Sequence, residues 1–121
     1  MANTFKVVTF AAEPNSAGTP YVVYTAGSGV TTVVLGLILT NINTAQVTAE
    51  VELVSTTSNR GGDNDVANGT AFLAKDIPIP VGSSVELLSG NKVVLEVGDK
   101  IRIDCSVADK LSGSLSIMEI T

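Results

Sequence analysis

The chain has 121 residues, 12 of them acidic and 7 basic, for a net charge of −5, and it holds no His, no Trp and one Cys. Charged residues make up 16% of it and apolar ones 45%, which is too hydrophobic for disorder and less charged than the roughly 25% of an average soluble domain. The length predicts a single domain with a sizeable core, the acidic excess argues against a nucleic-acid partner, and the sparse charge argues against a lone, highly soluble monomer.

The 17 Val, 13 Thr and 8 Ile are β-branched, stiff in a helix and suited to a pleated surface. In chain order, residues 4–10, 20–26, 31–42, 47–54, 70–77, 84–88, 92–95, 100–107 and 113–120 read as strands. The start of the chain lacks the charged lead and long apolar core of a signal peptide. The longest apolar run, residues 33–39, is far short of the ~20 residues of a membrane-spanning helix. Two strands alternate cleanly. In 47–53 the odd positions are apolar, with Thr48, Glu50 and Glu52 expected to face water. In 100–107 the wet face is Lys100, Arg102, Asp104 and Ser106, and Cys105 falls on the buried face as a small hydrophobe. Turn chemistry fills the intervals. Ser89-Gly90-Asn91 has the form of a hairpin tip, and Val97-Gly98-Asp99 bends the chain. In Ile77-Pro-Ile-Pro80, two prolines remove two backbone donors, so this stretch belongs to an edge or a crossover. No apolar 3.6-residue period persists. The expected fold is all-β: a single antiparallel β-sandwich, jelly-roll-like, of about 8 strands without a long helix.

Two segments carry apolar groups on both strand faces. In 32–39 the odd positions suit the core, which leaves Val34 and Ile38 on the opposite face. In 115–120 the inward set changes from Leu115 and Ile117 to Met118 and Ile120, as a bulge or two-sided burial would produce. Val34, Ile38, Met118 and Ile120 are therefore candidate interface residues. The polar loop 56–69 is long for a compact domain, and its charged side chains Arg60, Asp63 and Asp65 are candidate contacts to a partner.

Catalytic signatures are missing. Without His there is no Ser-His-Asp or Cys-His arrangement and no histidine metal site, and one Cys excludes thiolate clusters. The glycines lack dinucleotide-loop and P-loop spacing. Asp63 and Asp65 are set like a calcium loop, but Ala67 occupies a ligand position and no terminal Glu follows. No cofactor and no metal are expected.

Residues 32–42, 71–103 and 113–121 resemble small virion structural proteins of tailed bacteriophages. The resemblance rests on an apolar strand ending in Asn41, on Ile79-Pro-Val-Gly82, on Lys92-Val-Val-Leu-Glu-Val-Gly-Asp99 and on the closing Glu119-Ile-Thr121, a little under half of the chain. It implies a β-sandwich without catalytic role, present in many copies on a phage particle and made in the bacterial host cytoplasm. The expected function is that of a decoration or accessory subunit. Its partners would be copies of itself and another structural protein, such as the major capsid or a neck or tail protein, with no nucleic acid and no membrane. The alternative is a receptor- or carbohydrate-binding module on a tail or neck appendage. It is weakened by the absence of Trp, although Tyr21 and Tyr24, of opposite strand parity, leave room for one exposed ring.

Overall fold

The computed structural model describes residues 2–55, 69–88 and 92–121. Within them lie nine strands: β1 (Asn3–Glu13), β2 (Tyr21–Thr25), β3 (Thr31–Asn41), β4 (Val47–Val54), β5 (Thr70–Ile79), β6 (Ser84–Leu87), β7 (Val93–Leu95), β8 (Lys100–Cys105) and β9 (Leu111–Ile120). They form two sheets. One has the order β1-β9-β3-β6 with β7 also on β3, and the other has the order β2-β8-β4-β5. Every pairing is antiparallel. The chain passes from sheet to sheet in the jelly-roll order.

Strands β6 and β7 share one position in that order. Ser84 to Leu87 lie opposite Thr40 to Leu37, and Val93 to Leu95 opposite Val34 to Thr32, so both strands run the same way along β3. The hairpin expected at Ser89-Gly90-Asn91 is corrected: its flanking strands do not pair with each other. Positions 89–91 themselves lie outside the described residues.

Between the sheets lies one apolar cluster that includes Val34, Leu37, Leu39, Val51, Ile101, Ile103, Leu111, Leu115 and Ile117. Cys105 is buried in it, as expected. Irregularities on three strands decide which residues reach this core. On β3, Val34 pairs with Ile117 but Gly36 with Ser116, so Leu35 is an extra residue. Inward side chains are thus Thr32 and Val34 before the bulge, and Leu37 and Leu39 after it. On β2, Tyr21 opposes Ile103 and Tyr24 opposes Ile101, with Val23 extra. On β5, Lys75 and Asp76 together stand against Glu50 between the pairs Ile77–Ala49 and Ala74–Val51, so one residue is extra there, with Asp76 at a φ of 50°. Leu73 is a second extra residue, between the pairs Ala74–Val51 and Phe72–Glu52.

Proline placement follows the expectation. Pro78 lies in β5, which among the described strands is bonded to β4 alone and so forms an edge. The turn after it is closed by the Ser83 N–H donating to the Pro80 carbonyl at 3.1 Å, with Gly82 at the φ of 72° that its third position demands. The buried Asn41 ties this end together. Its Nδ2 donates to the carbonyls of Ala45 and Ile79, both at 2.9 Å, and its Oδ1 accepts from the Asn43 N–H at 2.7 Å.

Candidate assembly interface

The register of the first sheet fixes what its outer surface carries. Phe5 on β1 lies opposite Met118 on β9, which lies opposite Val33 on β3, which lies opposite Val94 on β7. Four apolar side chains thus form one row across four strands. Ile120 lies on one side of this row, and Val7 and Leu35 on the other. Ile38 follows between Ser114 and Glu86. Phe5 is 71% exposed, Val7 63%, Val94 53% and Ile38 42%. The rest of the face is mainly Thr and Ser, with Asn3 on its edge strand. Among the described strand residues, Glu86 is the one charged side chain directed outward from this sheet.

The opposite sheet presents a different surface. Arg102 Nη2 donates to both carboxylate oxygens of Glu52, at 3.2 and 2.9 Å. Lys75 pairs with Glu50 at 2.6 Å and sits 4.8 Å above the Phe72 ring. Asp104 accepts from the N–H groups of Gly18 and Cys105. Glu52 and Asp104 were expected to face water but are buried, at 5% and 8% exposure. Arg102 covers the first, and backbone donors enclose the second. Beside Glu50, Asp76 and Asp104 this surface holds a concavity of about 210 Å³. No helix among the described residues is long and apolar enough to cross a membrane.

A polar tie joins the sheets at the end where the chain begins. The Tyr24 hydroxyl on β2 donates to Glu119 Oε2 at 2.6 Å and lies 2.8 Å from Thr32 Oγ1. Lys6 on the edge strand pairs with the other Glu119 oxygen at 2.6 Å. The Lys6 hydrogen bond, then that of Tyr24, holds the Glu119 carboxyl below the ordinary glutamate range. Burial, aided by the neighbouring carboxylate, raises the Tyr24 hydroxyl. Tyr21 is half-buried and packs against Phe10, with ring centroids 5.7 Å apart. The parity expectation for the two tyrosines is corrected, because the extra residue Val23 turns both toward the interior.

Of the interface residues read from the sequence, Ile38 lies on the outer face as expected. Met118 and Ile120 are there too, half-buried. The inward set of β9 does not change parity: Leu115 and Ile117 stay buried throughout, so two-sided burial is the right account and a bulge in β9 is not. Val34 is corrected. It is fully buried against the second sheet, because the bulge at Leu35 reverses the parity of the first half of β3 and sends Val33 outward in its place. Arg60, Asp63 and Asp65 lie outside the described residues, as does most of the loop 56–69. Phe5, Val7, Val33 and Val94 were not singled out from the sequence. Val94 sits in too short a run for its face to be read. The face of Phe5 is readable only by counting parity back from the buried Phe10.

No protein-family model and no curated protein matches the sequence. Among solved structures, the chain is similar to one from the infectious bursal disease virus Gx strain, at 15% identity and a TM-score of 0.51, over 98% of this chain and 33% of that one. It is likewise similar to the VP2 subviral particle of the same virus, at 15% identity and a TM-score of 0.50, over 96% and 32%. The chain thus spans about a third of the length of these virus proteins, and the likeness is one of fold. A chain of the disulfide-linked pili that form Bacillus endospore appendages aligns over 99% of this chain and 87% of its own, at 16% identity and a TM-score of 0.46.

Proposed function

We propose that the protein is a non-enzymatic structural subunit of a virion, a multicopy decoration or accessory protein of the tailed-phage kind that its motifs resemble. It is made in the host cytoplasm and attaches through the outer face of the β1-β9-β3 sheet, including β6 and β7. Its partners are copies of itself and another structural protein of the particle.

The observation that carries this reading is the contrast between the two outer surfaces. One holds its charges in the pairs Lys75–Glu50 and Arg102–Glu52 and in the backbone hydrogen bonds to Asp104. The other aligns Phe5, Met118, Val33 and Val94 across four strands with almost no charge. An aliphatic or aromatic side chain taken fully out of water contributes about 1.5–3 kcal/mol. Side chains already half covered contribute a fraction of that each, so one copy alone binds modestly. Repetition on a particle then supplies avidity. The jelly-roll order, shared in fold with chains of a virus particle, supports the same reading.

Asp at Val94 or at Ile38 tests it. Both positions are exposed on the outer face, so the variants should keep the wild-type circular dichroism and, at a concentration at which the wild type is dissociated, its melting temperature. Their native mass by light scattering should fall below that of the unmodified protein. Variants that assemble like the wild type would overturn the assignment of this face.

A further inference from the structure

We propose that the free edge of β1 pairs in antiparallel fashion with the β1 edge of a second copy, which joins two sheets into one and makes their apolar outer faces continuous. The inference rests on the reading of the chain as a self-associating subunit and names where the second copy sits.

The hydrogen-bond phase of β1 is fixed by its first pair. Ala2 N–H donates to the Thr121 carbonyl at 3.1 Å, and Thr121 N–H donates to the Ala2 carbonyl at 2.9 Å. Antiparallel ladders alternate bonded and non-bonded pairs, and the β1–β9 register is unbroken from Asn3 to Phe10. Thr4, Lys6 and Val8 therefore bond to β9. The N–H and C=O groups of Asn3, Phe5, Val7 and Thr9 point away from it, toward a side on which no described strand lies. These four residues are also the outward-facing ones, so edge and apolar face meet at Phe5 and Val7.

The sandwich has four edge positions, and three carry features that discourage strand addition. Strand β5 has Pro78, two extra residues and the charges of Lys75 and Asp76. Strand β2 has five residues and a bulge. The β6/β7 edge is broken into segments of four and three residues. Strand β1 alone offers an eight-residue register without proline, bulge or unpaired charge. Its one charge before Glu13, Lys6, is turned inward and held by Glu119.

A second copy is the occupant because the edge is self-complementary. A two-fold axis at Phe5 or at Val7 matches free donors to free acceptors residue by residue, as an isologous contact requires. It sets Lys6 opposite Thr4 or Val8 rather than opposite its own mate. In a protein of net charge −5, this edge brings no like charges together.

Proline at Val7 is the direct test, since it removes an outward N–H and leaves the β9 ladder whole. Val7→Pro should halve the native mass measured by light scattering, with the melting temperature kept when both proteins are compared at a concentration at which the wild type is dissociated. Val8→Pro, which removes a ladder bond, should instead lower the melting temperature. Amide exchange on the unmodified protein covers the case in which Val7→Pro does not fold: the Phe5, Val7 and Thr9 amides should slow as concentration rises. A monomeric wild type, a Val7→Pro variant with wild-type mass, or edge amides that stay fast in a multimer would each overturn the pairing. If Val94→Asp dissociates the assembly and Val7→Pro does not, the face reading stands and the edge falls. The converse keeps the edge and removes the face.

Discussion

Replacing Gly113 by Ala places a methyl group where the sheet has no room for one. Gly113 lies opposite Phe10 on β1 and Leu39 on β3. An added Cβ would stand 2.6 Å from the Ile38 carbonyl oxygen, 2.6 Å from Phe10 Cζ and 3.0 Å from Phe10 Cε1. Neither neighbour moves freely. The carbonyl belongs to a central strand, and the Phe10 ring is buried at 6% exposure. Forcing a methyl into a packed core costs about 1–3 kcal/mol. Ala also restricts the unfolded chain, which offsets about 0.4–1 kcal/mol. The middle of these ranges gives a net loss of about 1.3 kcal/mol. An unfolding entropy of about 2.1 cal/mol/K per residue over 121 residues converts this to a fall of about 5 °C. Thermal melting at matched protein concentration reads it, the match being needed because assembly shifts the midpoint. A Phe10→Leu background should shrink the Gly113→Ala penalty, leaving the part due to the Ile38 carbonyl. A Gly113→Ala protein that melts at or above the wild-type temperature would refute the packing argument.

The tie at Glu119 predicts an acid-sensitive contribution to stability. Its folded value is lowered from the ordinary 4.5, so the stabilisation is fully present above that pH and is lost as the pH falls through the lowered value. The melting-temperature gap between wild type and Glu119→Gln should accordingly be widest near neutrality and close in acid; a gap that stays constant through the acid limb would remove the carboxylate from the account. Cys105, at 3% exposure, should react with a thiol reagent roughly 100-fold or more slowly than free cysteine, since reaction must await opening of the sandwich. Rapid stoichiometric labelling of the native protein would contradict its burial.

The strand content was legible because β-branched runs and turn residues act locally. All nine segments fall within a few residues of those read from the sequence, and proline chemistry placed β5 at an edge. What misled the reading was parity. A bulge adds one residue without any compositional mark, so the exchange of Val34 for Val33 and the inward turn of both tyrosines could not be counted from the sequence. Strand β1 is the sharper case. Thr4, Phe5, Lys6 and Val7 alternate as an ordinary amphipathic strand would, yet the apolar pair faces out, while Lys6 faces in toward Glu119, 113 positions along the chain. The Arg102–Glu52 pair, 50 positions apart, is long-range in the same sense. The candidate face was half legible. Ile38, Met118 and Ile120 declared themselves as apolar residues on the wrong parity, whereas Val94 acquires its meaning only from the row it completes.

The central claim is that the uncharged outer face of the first sheet is buried in a multicopy assembly. The most direct test is the native mass of the unmodified protein, by light scattering after size exclusion, from low micromolar to near-millimolar concentration. A defined multimer whose mass persists on dilution until the midpoint of assembly is what the account predicts. A chain that stays monomeric across the whole range would contradict it.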